Sequence, residues 1–178
     1  MKSGQGRKTI RLKGYDYRNP NWYYITICTY DKKSFLGKNL NGTVVLSRIG
    51  KIAFINWKKI PEHFEYVKLD CFVIMPNHIH GIIILNGDDV RRDVQLNIPT
   101  NTNKNFYSRI SPLKQSLSAI IRTYKGSVKK WCNESGCSEF KWQSSFYEHI
   151  IRNEADLRRI RNYIKYNPLK WYDDDYYS

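Results

Sequence analysis

Two histidines, His78 and His80, lie two positions apart inside an apolar run of the chain. Because successive side chains of a β-strand point to opposite faces, both imidazoles would project together and Ile79 would point away from them. Two neighbouring imidazoles can bind one divalent metal ion, since histidine is the commonest metal ligand in proteins. The pair could equally be two polar side chains on a solvated strand face, so both interpretations stay open at this point.

A second pair of residues, Tyr163 and Asn167, could complete such a metal site. They are four positions apart and would share one face of a helix. The side-chain carbonyl oxygen of an asparagine is a suitable ligand for Mg²⁺ or Mn²⁺, and a neighbouring tyrosine could act as a nucleophile. Two ordinary alternatives remain: any one of the fourteen tyrosines usually serves packing, and Asn167 could end the helix before Pro168.

The charge of the chain indicates a polyanionic partner. Thirty Lys and Arg residues oppose sixteen Asp and Glu residues, which gives a formal net charge of +14 and a pI near 9.6. A field of this sign attracts nucleic acids and speeds their encounter with the protein. Aromatic residues make up 15% of the chain, and rings interleaved with cations suit single strands, whose bases can stack on them. The alternative interpretation is a solubilising surface combined with tyrosine-rich packing.

The cations best suited to contact a nucleic acid lie in two regions, a basic arm and one face of a predicted helix. The arm comprises residues 1–20, and the helix is expected to begin at Ser111 and Pro112. A charged helix face is usually only solvated, so DNA contact by that face is a hypothesis. The predicted DNA-contacting residues are Lys2, Arg7, Lys8, Arg11, Lys13, Arg18, Arg122, Lys125 and Lys129.

The segments between these residues predict interleaved strands and helices. Runs of β-branched and aromatic residues predict strands at residues 22–30, 43–46, 66–85 (divided by a turn at Pro76 and Asn77) and within 140–152. Asn41 and Gly42 predict a hairpin turn before residues 43–46. Helices are predicted from the Ser47 cap to about residue 60, after Ser111, and over Glu154–Tyr166.

This order of elements favours one α+β domain over residues 21–178, built on an antiparallel sheet, because the strands and helices lack the regular alternation of doubly wound folds. The polar residues 86–108 are expected to form a loop or flap. No apolar run has the length of about 20 residues that a membrane helix needs, and the N-terminus lacks the apolar stretch of a signal peptide. A cytoplasmic location without membrane contact is therefore expected.

Two blocks of the sequence together resemble a known family. MPNHIHGIIIL is similar to the motif of HUH transposases, in which a bulky apolar residue separates two histidines. WQSSFYEHIIRNEADLRRIRNYIKYNPLKW resembles the signature of one branch, the REP-associated tyrosine transposases. That signature is Trp-Gln, then an aromatic pair before an acidic residue and a histidine, then Tyr-Ile-x-x-Asn-Pro. The order and separation of the blocks agree from Trp22 to Trp171.

The resemblance implies a ferredoxin-like antiparallel sheet with helices packed on one face and the histidines on a central strand. It implies that His78, His80 and Asn167 hold Mg²⁺ or Mn²⁺ and that Tyr163 is the nucleophile. The implied reaction nicks and rejoins single-stranded DNA through a 5′-phosphotyrosine bond at hairpins of repetitive extragenic DNA. Tyr166 is the rival nucleophile.

Other inferences from the resemblance stay open. His149 matches a position that is commonly histidine, and a structural hydrogen bond is expected there rather than metal binding. The relatives act either as monomers or as dimers that exchange the tyrosine helix, so monomer and homodimer are both possible for this chain. Two rival functions remain, a DNA-binding protein of the same fold that does not cut DNA, and an RNA-binding domain.

Overall fold

The computed structural model describes residues 16–86, 116–174 and 176–177. Five of the predicted DNA-contacting residues, and nearly all of the predicted loop at residues 86–108, lie outside this described part of the chain. Those five residues are Lys2, Arg7, Lys8, Arg11 and Lys13. No helix of the described part is long and apolar enough to cross a membrane.

The described chain forms six strands and four α-helices. In chain order they are β1 (Asn21–Cys28), β2 (Gly37–Leu40), β3 (Thr43–Leu46), α1 (Arg48–Lys58), α2 (Ile60–His63), β4 (Val67–Ile74), β5 (His78–Leu85), α3 (Leu117–Glu134), β6 (Tyr147–Ile151) and α4 (Glu154–Tyr166). Two 3-10 helices follow β1 and α4, at Tyr30–Lys32 and Asn167–Asp173. The chain thus continues as a 3-10 helix at Asn167, where the sequence predicts only that α4 ends.

Four strands form one antiparallel sheet in the order β4-β5-β1-β6. With helices between β1 and β4 and between β5 and β6, this order is the ferredoxin-like arrangement, and the prediction of an α+β antiparallel fold is confirmed. The hairpin β2-β3 is an addition to that arrangement. Its turn contains Asn41 and Gly42 at positive φ, as their sequence predicts.

One face of the sheet packs against α1 and α3, as expected for helices on one face. The large side chains of this core come from alternate residues of the central strands and from the two helices. They include Tyr23, Ile25, Ile79, Ile83, Trp57, Ile120 and Tyr124. Ser47 begins α1 as predicted, because its hydroxyl accepts a hydrogen bond from the Gly50 amide.

The opposite face of the sheet is covered in part by α4. Leu157, Ile160 and Ile164 form one apolar stripe of this helix and pack against Tyr24 and Ile82 of the sheet. The stripe repeats at intervals of three and four residues, so it fixes which side of α4 is turned away from the sheet. Because Ile82 and His80 are two positions apart on β5, the histidines share this second face.

Gly81 of β5 maintains the close contact between the sheet and α1. A β-carbon at this position would lie 2.4 Å from Cζ2 of Trp57 and 3.1 Å from Cβ of Phe72. Both neighbours belong to the packed face, where Trp57 is fully buried. The strand therefore carries a glycine directly after His80 because no larger residue fits between the sheet and Trp57.

We expect Gly81→Val to lower the free energy of unfolding by about 1–3 kcal/mol, because the added carbons overpack the Trp57 contact. The matched control is Gly126→Ala in α3, where an added β-carbon meets nothing within 4 Å. That substitution is expected to raise stability by about 0.5–1 kcal/mol through helix propensity. Urea unfolding midpoints measure both effects. An unchanged midpoint for Gly81→Val would contradict this account of the packing.

Candidate active site

Strand β5 brings the two candidate metal-binding histidines together on one face of the sheet. The ring centroids of His78 and His80 lie 4.4 Å apart, and both side chains are fully buried. The antiparallel register with β1 places Cys28 opposite His78 and Thr26 opposite His80. The alternative interpretation, two polar side chains on a solvated strand face, is therefore wrong.

A fixed amide assigns the proton on His78. Nδ2 of Asn77 donates to the backbone carbonyls of Lys32 (2.9 Å) and Tyr176 (2.8 Å), so its Oδ1 must face the other way. That oxygen lies 2.8 Å from Nδ1 of His78. Because Oδ1 can only accept, Nδ1 carries the proton and Nε2 keeps its lone pair. Nε2 is buried and has no hydrogen-bond partner among the described residues.

His80 is oriented by two hydroxyl groups of β1. Its Nδ1 lies 2.8 Å from the Tyr24 hydroxyl and 2.9 Å from Oγ1 of Thr26. These partners suit a metal-binding imidazole, whose second nitrogen is commonly held by a hydrogen bond that fixes the ring and the tautomer. Because the two hydroxyls hold Nδ1, Nε2 of His80 is the nitrogen that faces Tyr163, 3.3 Å from its hydroxyl.

Both imidazoles are held in the neutral form. Burial lowers the pKa of His78 to about 3, and the nearby Lys32 ammonium acts in the same direction. Burial also holds the pKa of His80 well below its usual value, with a smaller contribution from His78 and an opposing one from Asp174. Only the neutral imidazole can bind a metal ion, so the site is ready to do so at neutral pH without losing a proton.

Asn167 lies directly after α4 and turns its side chain into the site. The residue is 2% exposed, and its Nδ2 donates to Oδ2 of Asp174 at 2.5 Å. Its Oδ1 is buried without a hydrogen-bond partner in the described part of the chain. Burying such an oxygen costs about 1–3 kcal/mol when nothing binds it. A cation beside Oδ1 and the His78 nitrogen would satisfy both atoms.

Tyr163 lies one helical turn before Asn167 and reaches the histidines from the side of the solvent. Its hydroxyl lies 3.3 Å from Nε2 of His80 and 3.3 Å from Oδ2 of Asp174. The side chain is 41% exposed, so a substrate can approach its oxygen. Tyr166 is also exposed, but its ring lies beside the Lys165 ammonium, with the nitrogen 5.4 Å from the ring centroid. The structure therefore brings Tyr163, and not Tyr166, to the histidines.

Asp174 is a member of this cluster that the sequence analysis does not identify. One of its carboxylate oxygens and one nitrogen from each of His78 and His80 all lie within 4.8 Å of one another. Two nitrogens, the Asn167 oxygen and a carboxylate are a donor set that fits a divalent cation. The sequence signal is weak, because Asp174 is the middle of three consecutive aspartates.

Two of the predicted DNA-contacting lysines are used inside the protein. Nζ of Lys125 donates to the carbonyls of Gln143 and Ser145, both at 2.8 Å, and burial lowers its pKa to about 8. Nζ of Lys129 likewise donates to two backbone carbonyls of the segment after α3. Helical periodicity places both lysines on the polar side of α3 but cannot show these acceptors. Each ammonium therefore uses two of its three N–H groups within the protein, and the contact of these lysines with DNA stays a prediction.

The other described cations of the prediction lie elsewhere on the surface. Arg18 forms an ion pair with Asp16 at 2.6 Å, two residues earlier. Arg122 is exposed on α3. Neither residue belongs to the cluster around the histidines, so their prediction as DNA contacts stays a prediction.

His149 of β6 has the structural role that its sequence context suggests. Its Nε2 lies 2.7 Å from Oδ2 of Asp156, in the first turn of α4. This contact is the main reason why the pKa of the Asp156 carboxyl lies below its usual value. The backbone amide of Asp156 also donates to the capping side chain of Asn153. His149 therefore ties β6 to the start of the helix that carries Tyr163.

Comparison with known proteins identifies relatives of nearly full length. The chain is 36% identical to an uncharacterized Haemophilus influenzae protein over 171 residues, which is 96% of this chain and 93% of that protein. It is 29% identical over 160 residues to a second Haemophilus influenzae protein, provisionally named a REP-associated tyrosine transposase, covering 87% of this chain and 74% of that protein. No protein-family model matches the chain.

The fold also matches a solved structure, that of a REP-associated tyrosine transposase bound to a REP hairpin. The match has a TM-score of 0.59 at 20% sequence identity, and covers 90% of this chain and 73% of the solved chain. At this identity the similarity concerns the fold alone.

The assigned tautomer makes a prediction for the metal-free protein. We expect the His78 imidazole to stay neutral at pH 5, with its proton on Nδ1, because its pKa in the folded state is about 3. Imidazole ¹⁵N NMR measures both properties, and a His78→Gln variant assigns the signal. In urea the same ring should become protonated near its ordinary pKa of about 6.5. A folded-state midpoint near that value would show that the ring is solvated.

Proposed function

We propose that the chain is a REP-associated tyrosine transposase, similar to the relative provisionally given that name, and that it cuts and rejoins single-stranded DNA through a covalent bond to Tyr163. One observation carries the proposal: an exposed tyrosine hydroxyl lies 3.3 Å from a buried, neutral histidine nitrogen. A tyrosine that served only in packing would be buried, whereas Tyr163 is exposed. The two histidines are buried and are therefore not an ordinary pair on a solvated surface.

The proposed reaction depends on Mg²⁺ or Mn²⁺ held by His78, His80 and Asn167. When bound there, the cation supplies positive charge that polarises the scissile phosphate and stabilises the transition state. Two buried atoms support this assignment: Nε2 of His78 and Oδ1 of Asn167, neither of which has a hydrogen-bond partner among the described residues. Both atoms have lone pairs that can bind these cations. The sheet and α4 exclude water from both atoms and hold them in place.

Tyr163 is the proposed nucleophile. Its oxygen attacks the phosphorus, a new phosphotyrosine bond forms, and the bond from phosphorus to the 3′ oxygen breaks. In net terms, the phenolic proton of Tyr163 passes to that 3′ oxygen. The products are a 5′-phosphotyrosine and a free 3′-hydroxyl. Since the phosphotyrosine retains the energy of the phosphodiester, a 3′-hydroxyl can attack it, release Tyr163 and join two strands without ATP. The chain contains no Gly-x-x-x-x-Gly-Lys motif for binding ATP.

The proposed substrate is single-stranded DNA beside a hairpin. The solved relative is bound to a REP hairpin, and the net charge of +14 favours a polyanion. We assign the basic arm of residues 1–20 and Arg122 as candidates for contacts to the hairpin. We propose that a monomer carries out the chemistry, a proposal supported by the contact of Tyr163 with His80 and the packing of α4 on the sheet within one chain.

Tyr163→Phe is expected to abolish the covalent protein–DNA product, with a loss of about a thousandfold or more, because the nucleophilic oxygen is removed. The assay incubates the protein with Mn²⁺ and labelled hairpin DNA that has a single-stranded flank, and resolves the products on denaturing gels. Tyr166→Phe is the matched control and should leave the product unchanged. EDTA should remove the product from the wild-type reaction.

Three results would contradict this proposal. A product that survives in Tyr163→Phe but disappears in Tyr166→Phe would move the nucleophile to the rival tyrosine. Tight hairpin binding without any covalent product in the wild type would indicate a DNA-binding protein that does not cut. Competition by RNA of the same sequence with equal affinity would favour the RNA-binding alternative.

A further inference from the structure

The C-terminal segment after α4 folds back over the histidines. Trp171 is buried, with its ring 5.9 Å from that of His78, and the Tyr176 ring lies 4.8 Å from the same imidazole. The carbonyl of Tyr176 accepts a hydrogen bond from Asn77, the residue that fixes the His78 tautomer. Between these two anchors lies Asp174, which is partly buried.

Asp174 is held in a defined position by three donors. Its Oδ1 accepts from the backbone amide of Tyr176 at 2.7 Å, and its Oδ2 accepts from Nδ2 of Asn167 at 2.5 Å. The Tyr163 hydroxyl donates to Oδ2 at 3.3 Å. A carboxylate on a solvated tail would not form hydrogen bonds with both the proposed nucleophile and a candidate metal ligand. These contacts indicate that Asp174 is part of a preformed site.

The distances fit direct binding of a metal ion. Two ligand atoms on opposite sides of an ion with bonds of about 2.1 Å are about 4.2 Å apart. The carboxylate of Asp174 and the nitrogens of His78 and His80 lie within 4.8 Å of one another, so a small closure of the three groups suffices. A carboxylate that acted only at longer range would not need to approach both imidazoles this closely.

The charge of the site favours the same conclusion. His78 and His80 are held neutral, Asn167 is an amide, and the chain as a whole carries a net charge of +14. A hard dication prefers carboxylate oxygen, and the affinity of oxygen-rich sites rises with the number of charged ligands. Without Asp174, all ligands would be neutral and none would balance the positive charge of the ion.

We propose that Asp174 is a direct ligand of the metal ion, contributed by the C-terminal segment and completing the set formed by His78, His80 and Asn167. The inference rests on the proposed metal-dependent function. It assigns the C-terminal segment a part in the reaction, because metal binding by Asp174 would hold that segment in its folded position and the folded segment would in turn raise the affinity for the metal.

The test measures Mn²⁺ affinity of the purified full chain by calorimetry and by the electron paramagnetic resonance signal of free Mn²⁺. We expect Asp174→Ala and Asp174→Asn each to weaken binding by about tenfold or more. The matched control is Asp173→Asn, which removes the same charge from an exposed neighbour and should change the affinity by less than about twofold, because solvent and salt screen it. Circular dichroism melting checks that each variant is folded.

Water-proton relaxation by bound Mn²⁺ separates a ligand from a merely structural residue. Loss of the carboxylate should raise the relaxivity of the bound ion, because water takes the vacated position. Unchanged affinity and relaxivity in both Asp174 variants would overturn the proposal while leaving the proposed function intact. If the wild type bound no Mn²⁺, or if His78→Ala bound it equally well, the metal dependence itself would fail.

A double-mutant cycle excludes an indirect effect through the Asn167 amide. If Asp174 only orients that amide, then adding Asp174→Ala to Asn167→Ala should cause no further loss of Mn²⁺ affinity. As a ligand in its own right, Asp174 should cost about tenfold in either background. Full coupling of the two substitutions would therefore contradict direct binding.

Discussion

The burial of two neutral imidazoles side by side on a central strand is the constraint on which the site depends. A buried polar atom without a partner costs about 1–3 kcal/mol of stability. Each ring therefore needs a hydrogen bond on one nitrogen and a hydrogen-bond partner or a metal ion at the other. Asn77 holds the first nitrogen of His78, while Tyr24 and Thr26 hold that of His80. The pairing of β1 with β5 places those two hydroxyls opposite the second histidine. The remaining lone pairs then lie beside one space, where one nitrogen of each ring and a carboxylate oxygen of Asp174 are within 4.8 Å of one another.

Helix α4 adds the reactive group to that space without closing it. Its apolar stripe packs on the sheet face that carries the histidines, and the same packing turns Tyr163 toward His80. Asn167 follows one turn later and contributes an amide whose oxygen has no hydrogen-bond partner in the described ranges of the chain. Tyr163 is exposed and the candidate ligands His78, His80 and Asn167 are buried, which suits a reaction in which a DNA strand must reach the nucleophile while the protein holds the ligands in place. The proposed function follows from this arrangement together with the similarity to a provisionally named REP-associated tyrosine transposase.

Much of the fold and part of the site could be predicted from local sequence. The strand spacing of His78 and His80, the turn at Asn77, the Ser47 cap and the end of α4 at Tyr166 are all short-range signals, and the structure confirms the elements that they predict. Asp174 could not be selected, because its place depends on a chain reversal after α4 and its neighbours in sequence are also aspartates. The acceptors of the lysines on α3 could not be predicted for a similar reason. Periodicity shows which side Lys125 and Lys129 occupy, but not the loop carbonyls that receive their ammonium groups.

Crystals of the protein grown or soaked with Mn²⁺ would test the central claim most directly, through the anomalous scattering of the ion. The account predicts one strong anomalous peak within bonding distance of Nε2 of His78 and Nε2 of His80, on the side of the rings that faces Tyr163. A fully occupied Mn²⁺ elsewhere on the molecule, with no peak between the two histidines, would contradict it. Histidine rings whose Nδ1 atoms face the space beside Tyr163 would also contradict the account. Nδ1 of His78 would then not be hydrogen-bonded to Asn77, and Nδ1 of His80 would not be hydrogen-bonded to Tyr24 and Thr26.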